Sequence, residues 1–197
     1  HQIGPGHKVL VLGASGGVGS FAVQLVRLLG AQAFGVCSSK NADVVARLGG
    51  TAIDYTRGDP LIAAKGHGPF DLIVHATGTR TYPLKSCVDL LAPGGVLDLV
   101  MVRPNDFGAI ISTAIKRVFN KKARRVRTLL GKPTRQRLEP IVQAMSAGKI
   151  EAIIEQAFPL EEAEAAHARS RSGKVVGKLL VLPQSTVRDQ ESRGSTD

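Results

Sequence analysis

Tryptophan is absent from this 197-residue chain, aromatic residues make up 4%, and cysteine and methionine occur twice each. Two cysteines, Cys37 and Cys87, cannot build a disulfide framework and fall short of a four-cysteine zinc site. Such sparing use of cysteine suits a reducing, intracellular compartment, cytoplasm or organelle alike. No apolar run approaches the roughly 20 residues that a membrane-spanning helix needs, so no transmembrane segment is expected. A secretory leader is missing as well. The first residue is His1 rather than a methionine. The chain is therefore expected to be part of a longer one, and the missing leader then says nothing about targeting. His7, His67, His75 and His167 are scattered and neither cysteine joins them in ligand-like spacing, so no metal site is expected.

Acidic residues are few: 16 against 26 Lys and Arg, a net charge of +10. Ten basic residues stand between Lys116 and Arg137 with no acid among them, equal to the whole surplus. The plain reading of this segment is a solvated helix and loop. A docking face for an acidic partner, anionic lipid or polyanionic ligand is the alternative. Nucleic acid is the weakest reading, because Phe119 is the segment's one aromatic and base stacking has little to rest on.

Glycine is plentiful, at 22 residues, and it punctuates alternating apolar segments. Lys8–Leu12 reads as a strand, Gly17–Leu29 as a helix and Gln32–Cys37 as a second strand. Ala42–Leu48 is helical and ends at Gly49-Gly50. Ala52–Tyr55 and Phe70–Ala76 are strands. Tyr82–Leu91 is a helix stopped by Pro93-Gly94-Gly95, and Val96–Val102 is the next strand. Phe107–Phe119 has helical spacing, Val126–Leu130 is a sixth strand, and Gln136–Ala147 is a helix. The strands are continuous apolar runs, which predicts burial on both faces, as in a parallel sheet covered by helices. Beyond Lys149 an extended, helical, extended series covers Ile150–Phe158, Leu160–Arg169 and Val175–Leu182. The polar stretch 184–197 is expected to be disordered. The expected division is 1–149, 150–183 and 184–197.

The most informative stretch is Gly13-Ala14-Ser15-Gly16-Gly17-Val18-Gly19, which follows the strand ending at Leu12 and opens a helix. Glycines let the backbone turn sharply and approach a pyrophosphate, and the helix start supplies free N–H groups and a positive dipole end. The second strand ends Val36-Cys37-Ser38-Ser39-Lys40-Asn41, where a dinucleotide fold meets the adenosine ribose. No carboxylate occurs from Ala31 to Ala42. Two hydroxyls and a cation there favour a 2′-phosphate, hence NADPH over NADH. Ser39 also qualifies as a helix N-cap. Asp43 is the acid whose orientation bears on this preference. Tyr55 either edges the same phosphate or is a half-buried core residue.

In order, Pro5-Gly6-His7-Lys8-Val9-Leu10-Val11-Leu12 with its glycine turn, Leu28-Leu29-Gly30-Ala31, Ala52-Ile53-Asp54-Tyr55, Phe70-Asp71 with Ala76-Thr77-Gly78, and Leu91-Ala92-Pro93-Gly94-Gly95 form a series. Ala157-Phe158-Pro159-Leu160-Glu161-Glu162-Ala163, Ala166-His167 and Gly173-Lys174-Val175-Val176-Gly177-Lys178 complete it. The series resembles the cofactor domain of the medium-chain dehydrogenase/reductase superfamily, in its zinc-free quinone oxidoreductase and enoyl reductase branch. The resemblance covers nearly everything from Gly4 to Leu182. It implies an α/β Rossmann fold, a doubly wound parallel sheet of about six strands with helices on both faces. It also implies a C-terminal β-α-β tail that normally packs on a GroES-like domain missing here.

The implied activity is NADPH-dependent reduction of a quinone or an α,β-unsaturated carbonyl or enoyl group by hydride transfer. By position, Ser15, Gly16, Gly17 and Val18 would cradle the pyrophosphate. Ser38, Ser39, Lys40 and Tyr55 would hold the 2′-phosphate. Thr77 and Gly78 would approach the nicotinamide half, with Val100 and Val102 lining its pocket. Relatives often pair through an edge strand, for which Val126–Leu130 is the candidate. His75 stands where relatives often carry an acid or amide. It is either a buried structural histidine or a proton relay. No catalytic residue is assigned.

Two rivals remain. A short-chain dehydrogenase requires Tyr-x-x-x-Lys, but Tyr82 is followed four residues on by Ser86 and Tyr55 by Asp59. A non-catalytic NADPH-binding module, with the basic segment as its docking face, is the reading from another class.

Overall fold

A computed structural model of the chain describes residues 2–102, 104–108, 110–112, 115, 123–128 and 134–183. Much of the basic segment, most of the 107–119 helix and all of 184–197 lie outside the described residues. The chain divides into two compact units, His1–Glu151 and Ala152–Asp197. No described helix is long and apolar enough to cross a membrane.

In the first unit six described strands form one sheet: β1 (Lys8–Leu12), β2 (Gln32–Cys37), β3 (Gly50–Asp54), β4 (Phe70–His75), β5 (Leu91–Leu99) and β6 (Arg125–Thr128). Their order is β3-β2-β1-β4-β5-β6 and every pairing is parallel. The chain winds outward from β1 to β3, returns to the centre at β4, and winds out the other way. The strand order therefore reverses between β1 and β4, the place where open α/β sheets leave a crevice at the carboxyl ends of their strands.

Helices cover both faces. On one, α3 (Pro60–Lys65) and α4 (Leu84–Asp89) bury Leu61, Ala64, Cys87 and Leu90 against Leu10, Leu12, Phe34, Val36, Ile53, Ile73, Leu97 and Leu99. On the other, α1 (Gly19–Leu28) and α2 (Ala42–Arg47) bring Val23 and Val45 against the glycines of β2 and β3. Each buried aliphatic side chain is worth about 1.5–3 kcal/mol relative to exposure. Helix α5 (Arg135–Ser146) follows β6. Phe107, Gly108, Ile110, Ile111, Ser112 and Ile115 are helical.

Several element bounds differ by a few residues from the sequence expectation, and two differences are larger. Helix α3 was not foreseen, although Asp59 caps it by accepting from the Leu61 amide at 2.8 Å and Pro60 fills its first turn. Strand β5 runs through Pro93-Gly94-Gly95 instead of starting after them, because the β4–β5 register shifts between Phe70 and Leu72 and absorbs the extra residues as a bulge. The same strand ends at Leu99, so Val100 and Val102 lie just past it.

The second unit pairs β7 (Ile154–Pro159) with β8 (Lys178–Leu182) in parallel, joined through helix α6 (Ala163–Arg171). Glu155 ties this unit together, accepting from Arg169 Nε and from the Val176 amide, each at 2.6 Å. Both interactions hold its carboxyl below the usual range, the arginine first.

Candidate functional site

The site begins at the turn after β1. Gly13 has φ +83°, and a Cβ there would lie 2.6 Å from the Thr77 methyl carbon. A Cβ on Gly19 would lie 2.0 Å from the Gly13 carbonyl oxygen. The turn is thus wound tightly onto itself and onto the loop after β4. The Gly16 amide bonds back to Gly13 O at 3.1 Å, and the Ala14 amide to Val36 O at 3.0 Å. Helix α1 starts behind this turn with Val18 as its N-cap and no capping side chain among the described residues. Its first turn holds no acid. The Ser20 amide donates back to Gly16 O at 2.9 Å, so the helix start is closed by backbone alone, and its positive dipole end faces the turn with no side-chain anion beside it. Ser15, Gly16 and Gly17 are partly exposed at this point and Val18 is exposed. Ser15 Oγ also accepts from Asn41 Nδ2 at 3.0 Å, which links the glycine turn to the loop after β2.

At the end of β2, Ser38 is half-buried while Ser39 and Lys40 are exposed. Ser39 is not a helix cap. Its hydroxyl donates to Asp54 Oδ2 at 2.6 Å and lies 2.5 Å from Thr56 Oγ1. Asp54 also accepts from the Thr56 amide at 2.8 Å and the Thr56 hydroxyl at 2.7 Å, with Arg57 Nε 3.3 Å away. The hydroxyl bonds, Ser39 first, hold its carboxyl down to about 2. A carboxylate thus stands in the predicted phosphate subsite. It comes from β3, not β2, because parallel pairing sets Asp54 across from Cys37. It lies outside 31–42, the span in which a ribose-binding acid is expected, and its signal in the sequence is the Ile53-Asp54-Tyr55 triplet. Tyr55 is 50% exposed, so it is no core residue. Asp43 sits exposed in the first turn of α2.

The loop after β4 forms the opposite wall. Gly78 is buried with φ +84°, and the Thr77 hydroxyl is buried without a partner among the described residues. The Val100 amide donates to His75 O at 3.2 Å, which fixes the end of β5 beside this loop. Val100 and Val102 are half-buried, and Val102 packs on the sheet core. His75 is 1% exposed, with Nε2 3.0 Å from the Tyr82 carbonyl oxygen. That contact requires a proton on Nε2, which leaves Nδ1 as a bare acceptor, and it has no partner among the described residues. Burial outweighs this hydrogen bond and lowers the imidazole pKa, so the ring is neutral. Beside this wall a hollow of about 480 Å³ opens between the starts of α3 and α4, lined by Pro60, Ile62, Lys65, Tyr82 and Ser86 among others.

Among the described residues no group of three or more His, Cys, Asp or Glu is placed to hold a metal ion. A strand order that reverses between β1 and β4, a glycine turn against a helix start with no side-chain cap, and polar groups where β2 ends define a dinucleotide-binding domain.

A family model described as zinc-binding dehydrogenase matches residues 48–181, more than half of the chain. The chloroplastic quinone oxidoreductase of Triphysaria versicolor is 33% identical over 182 residues, covering 91% of this chain and 54% of that protein. The mitochondrial NAD(P)H oxidoreductase of Homo sapiens is 31% identical, covering 89% of this chain and 48% of that protein. The solved quinone oxidoreductase of Coxiella burnetii superposes with a TM-score of 0.77 at 28% identity, over 91% of this chain and 53% of that one. The chain belongs to the zinc-binding dehydrogenase family of the medium-chain dehydrogenase/reductase superfamily, in its zinc-free, quinone oxidoreductase-like branch, as a cofactor-binding domain. It spans about half the length of the curated relatives it matches.

Proposed function

We propose that this chain is the coenzyme-binding part of an NADPH-dependent oxidoreductase that reduces quinones or α,β-unsaturated carbonyl and enoyl groups. The observation that carries the reading is the start of α1, with no side-chain cap and no acid in its first turn, behind a glycine turn that has no room for a Cβ at Gly13 or Gly19. The turn residues Ser15, Gly16, Gly17 and Val18 bind the pyrophosphate. Ser38, Ser39, Lys40 and Tyr55 surround the 2′-phosphate. Thr77 and Gly78 border the nicotinamide half, and Val100 and Val102 exclude water from it. When bound, the reduced nicotinamide supplies a hydride to an electron-poor carbon. The chain's own task is to fix that donor in place and in a dry setting. A GroES-like domain of the same protein supplies the other wall, consistent with relatives about twice as long. Strand β6 lies at the sheet edge and is the surface through which two copies would pair.

The test is calorimetric titration of the chain with NADPH and NADH, alongside Lys40→Ala. The expected result is measurable uptake of NADPH, weakened about tenfold or more by Lys40→Ala, with a much smaller loss for NADH. No uptake of either coenzyme would sink the proposal. The second reading, a non-catalytic NADPH-binding module, draws on the basic stretch between Lys116 and Arg137.

A further inference from the structure

Four donors converge on the Asp54 carboxylate: the Ser39 and Thr56 hydroxyls, the Thr56 amide and the Arg57 guanidinium. The two hydroxyl oxygens also lie 2.5 Å apart. Each hydroxyl owns a single proton. Both protons are directed at the carboxylate or shared between the two oxygens, so neither is left for a third group. The pair turns lone pairs outward. A 2′-phosphate is an acceptor with no proton to give at neutral pH, whereas a ribose 2′-hydroxyl donates. The Ser39–Asp54–Thr56 cluster is therefore matched to a hydroxyl, and Lys40, one residue along, is matched to a phosphate. The carboxylate is anionic at every physiological pH, and the Arg57 side chain is 85% exposed, so solvent screens much of its compensation.

We infer that Asp54 is the specificity-determining residue of the adenosine-ribose site. It commits the protons of Ser39 and Thr56 and repels a 2′-phosphate, so that NADH is admitted alongside NADPH. Lys40 pulls the preference toward NADPH and Asp54 pulls it back. The inference rests on the coenzyme reading above and adds to it a residue and a direction.

The experiment is calorimetry with NADPH and NADH on the full chain and on Asp54→Asn and Ser39→Ala. Asp54→Asn removes a charge close to the phosphate and is expected to raise the NADPH-to-NADH affinity ratio fivefold or more. Ser39→Ala deletes an acceptor for the 2′-hydroxyl and is expected to raise the same ratio about threefold, mainly by weakening NADH. Thr56→Val is the spare variant should Asp54→Asn fail to fold, with the same sign expected. A ratio that is unchanged or lower in Asp54→Asn overturns the inference. So does a lower ratio in Ser39→Ala, which would mean that Ser39 gives its proton to the phosphate. If the unaltered chain takes up neither coenzyme, the coenzyme reading has failed first. If it takes up NADPH and the ratios move the wrong way, only the role of Asp54 has failed.

Discussion

A Cβ on Gly19 would sit 2.0 Å from the Gly13 carbonyl oxygen and 2.7 Å from the Ala14 Cα. Both obstacles are backbone, so no rotamer change relieves the clash. The turn must open or the helix start must retreat. Gly19→Ala is therefore expected to cost about 2–3 kcal/mol in a urea titration, the range of an overpacked core site. It should also abolish NADPH uptake, because the turn that opens is the one proposed to hold the phosphates. Full binding in a folded Gly19→Ala chain would show that the tight turn is only structural. This turn was legible from residue types, since its glycines follow an apolar strand and precede a helix. Asp54 was not. It lies 15 positions beyond Ser39, and only the pairing of Cys37 with Asp54 brings the two side chains together. The hydroxyls of Ser38 and Ser39 look alike as letters, yet among the described residues only that of Ser39 has its proton engaged by a carboxylate.

Elements were legible where they are long or apolar, and less so where they are short. Helix α3 has six residues, too few for a hydrophobic period to show, and only its Asp59-Pro60 start marks it. Pro93-Gly94-Gly95 reads as a stop, yet the chain spends those residues on a bulge inside β5. Edge strand β6 is four residues long and needs more than its ladder to stay in place. Asp98, 3% exposed, faces Arg127 in register and takes a two-pronged bond from its guanidinium, the Nη2–Oδ2 arm at 2.8 Å. The bond to Asp98 raises the Arg127 pKa above its already high value. The two partners differ in burial, since the Arg127 side chain is 39% exposed and that of Asp98 only 4%. Asp98→Asn leaves a cation that reaches water and is expected to cost about 1–2 kcal/mol, the worth of one charge-assisted bond discounted for solvent. Arg127→Met strands a carboxylate inside the sheet and is expected to cost about 3 kcal/mol or more. Equal losses in denaturant unfolding would show that Asp98 is better hydrated than its burial indicates.

At the scale of the whole molecule, the two units are unequal in what they bury. The first has a continuous core across its sheet. The second rests on two paired strands and one helix, and it leaves Ile154, Leu160, Leu180 and Val181 at 39–58% exposure. Two strands with so much apolar surface in water are marginal by themselves and are served by a further layer. The relatives' extra length is of the right size to supply one. If the length that the relatives have beyond this chain also closes the substrate side of the proposed site, coenzyme binding and turnover become separable in this chain. On the proposed reading, binding depends on the turn after β1 and the ends of β2 and β4, all among the described residues. Turnover depends as well on a second wall that orients the electrophile and excludes water. The chain alone is expected to bind NADPH, seen as a rise in nicotinamide fluorescence. It should oxidise NADPH with 1,4-benzoquinone no faster than buffer does, while a longer version with a GroES-like domain joined to it, as proposed above, should accelerate it at least a hundredfold. Turnover by the chain alone at the rate of the longer protein would place both walls of the active cleft within these 197 residues.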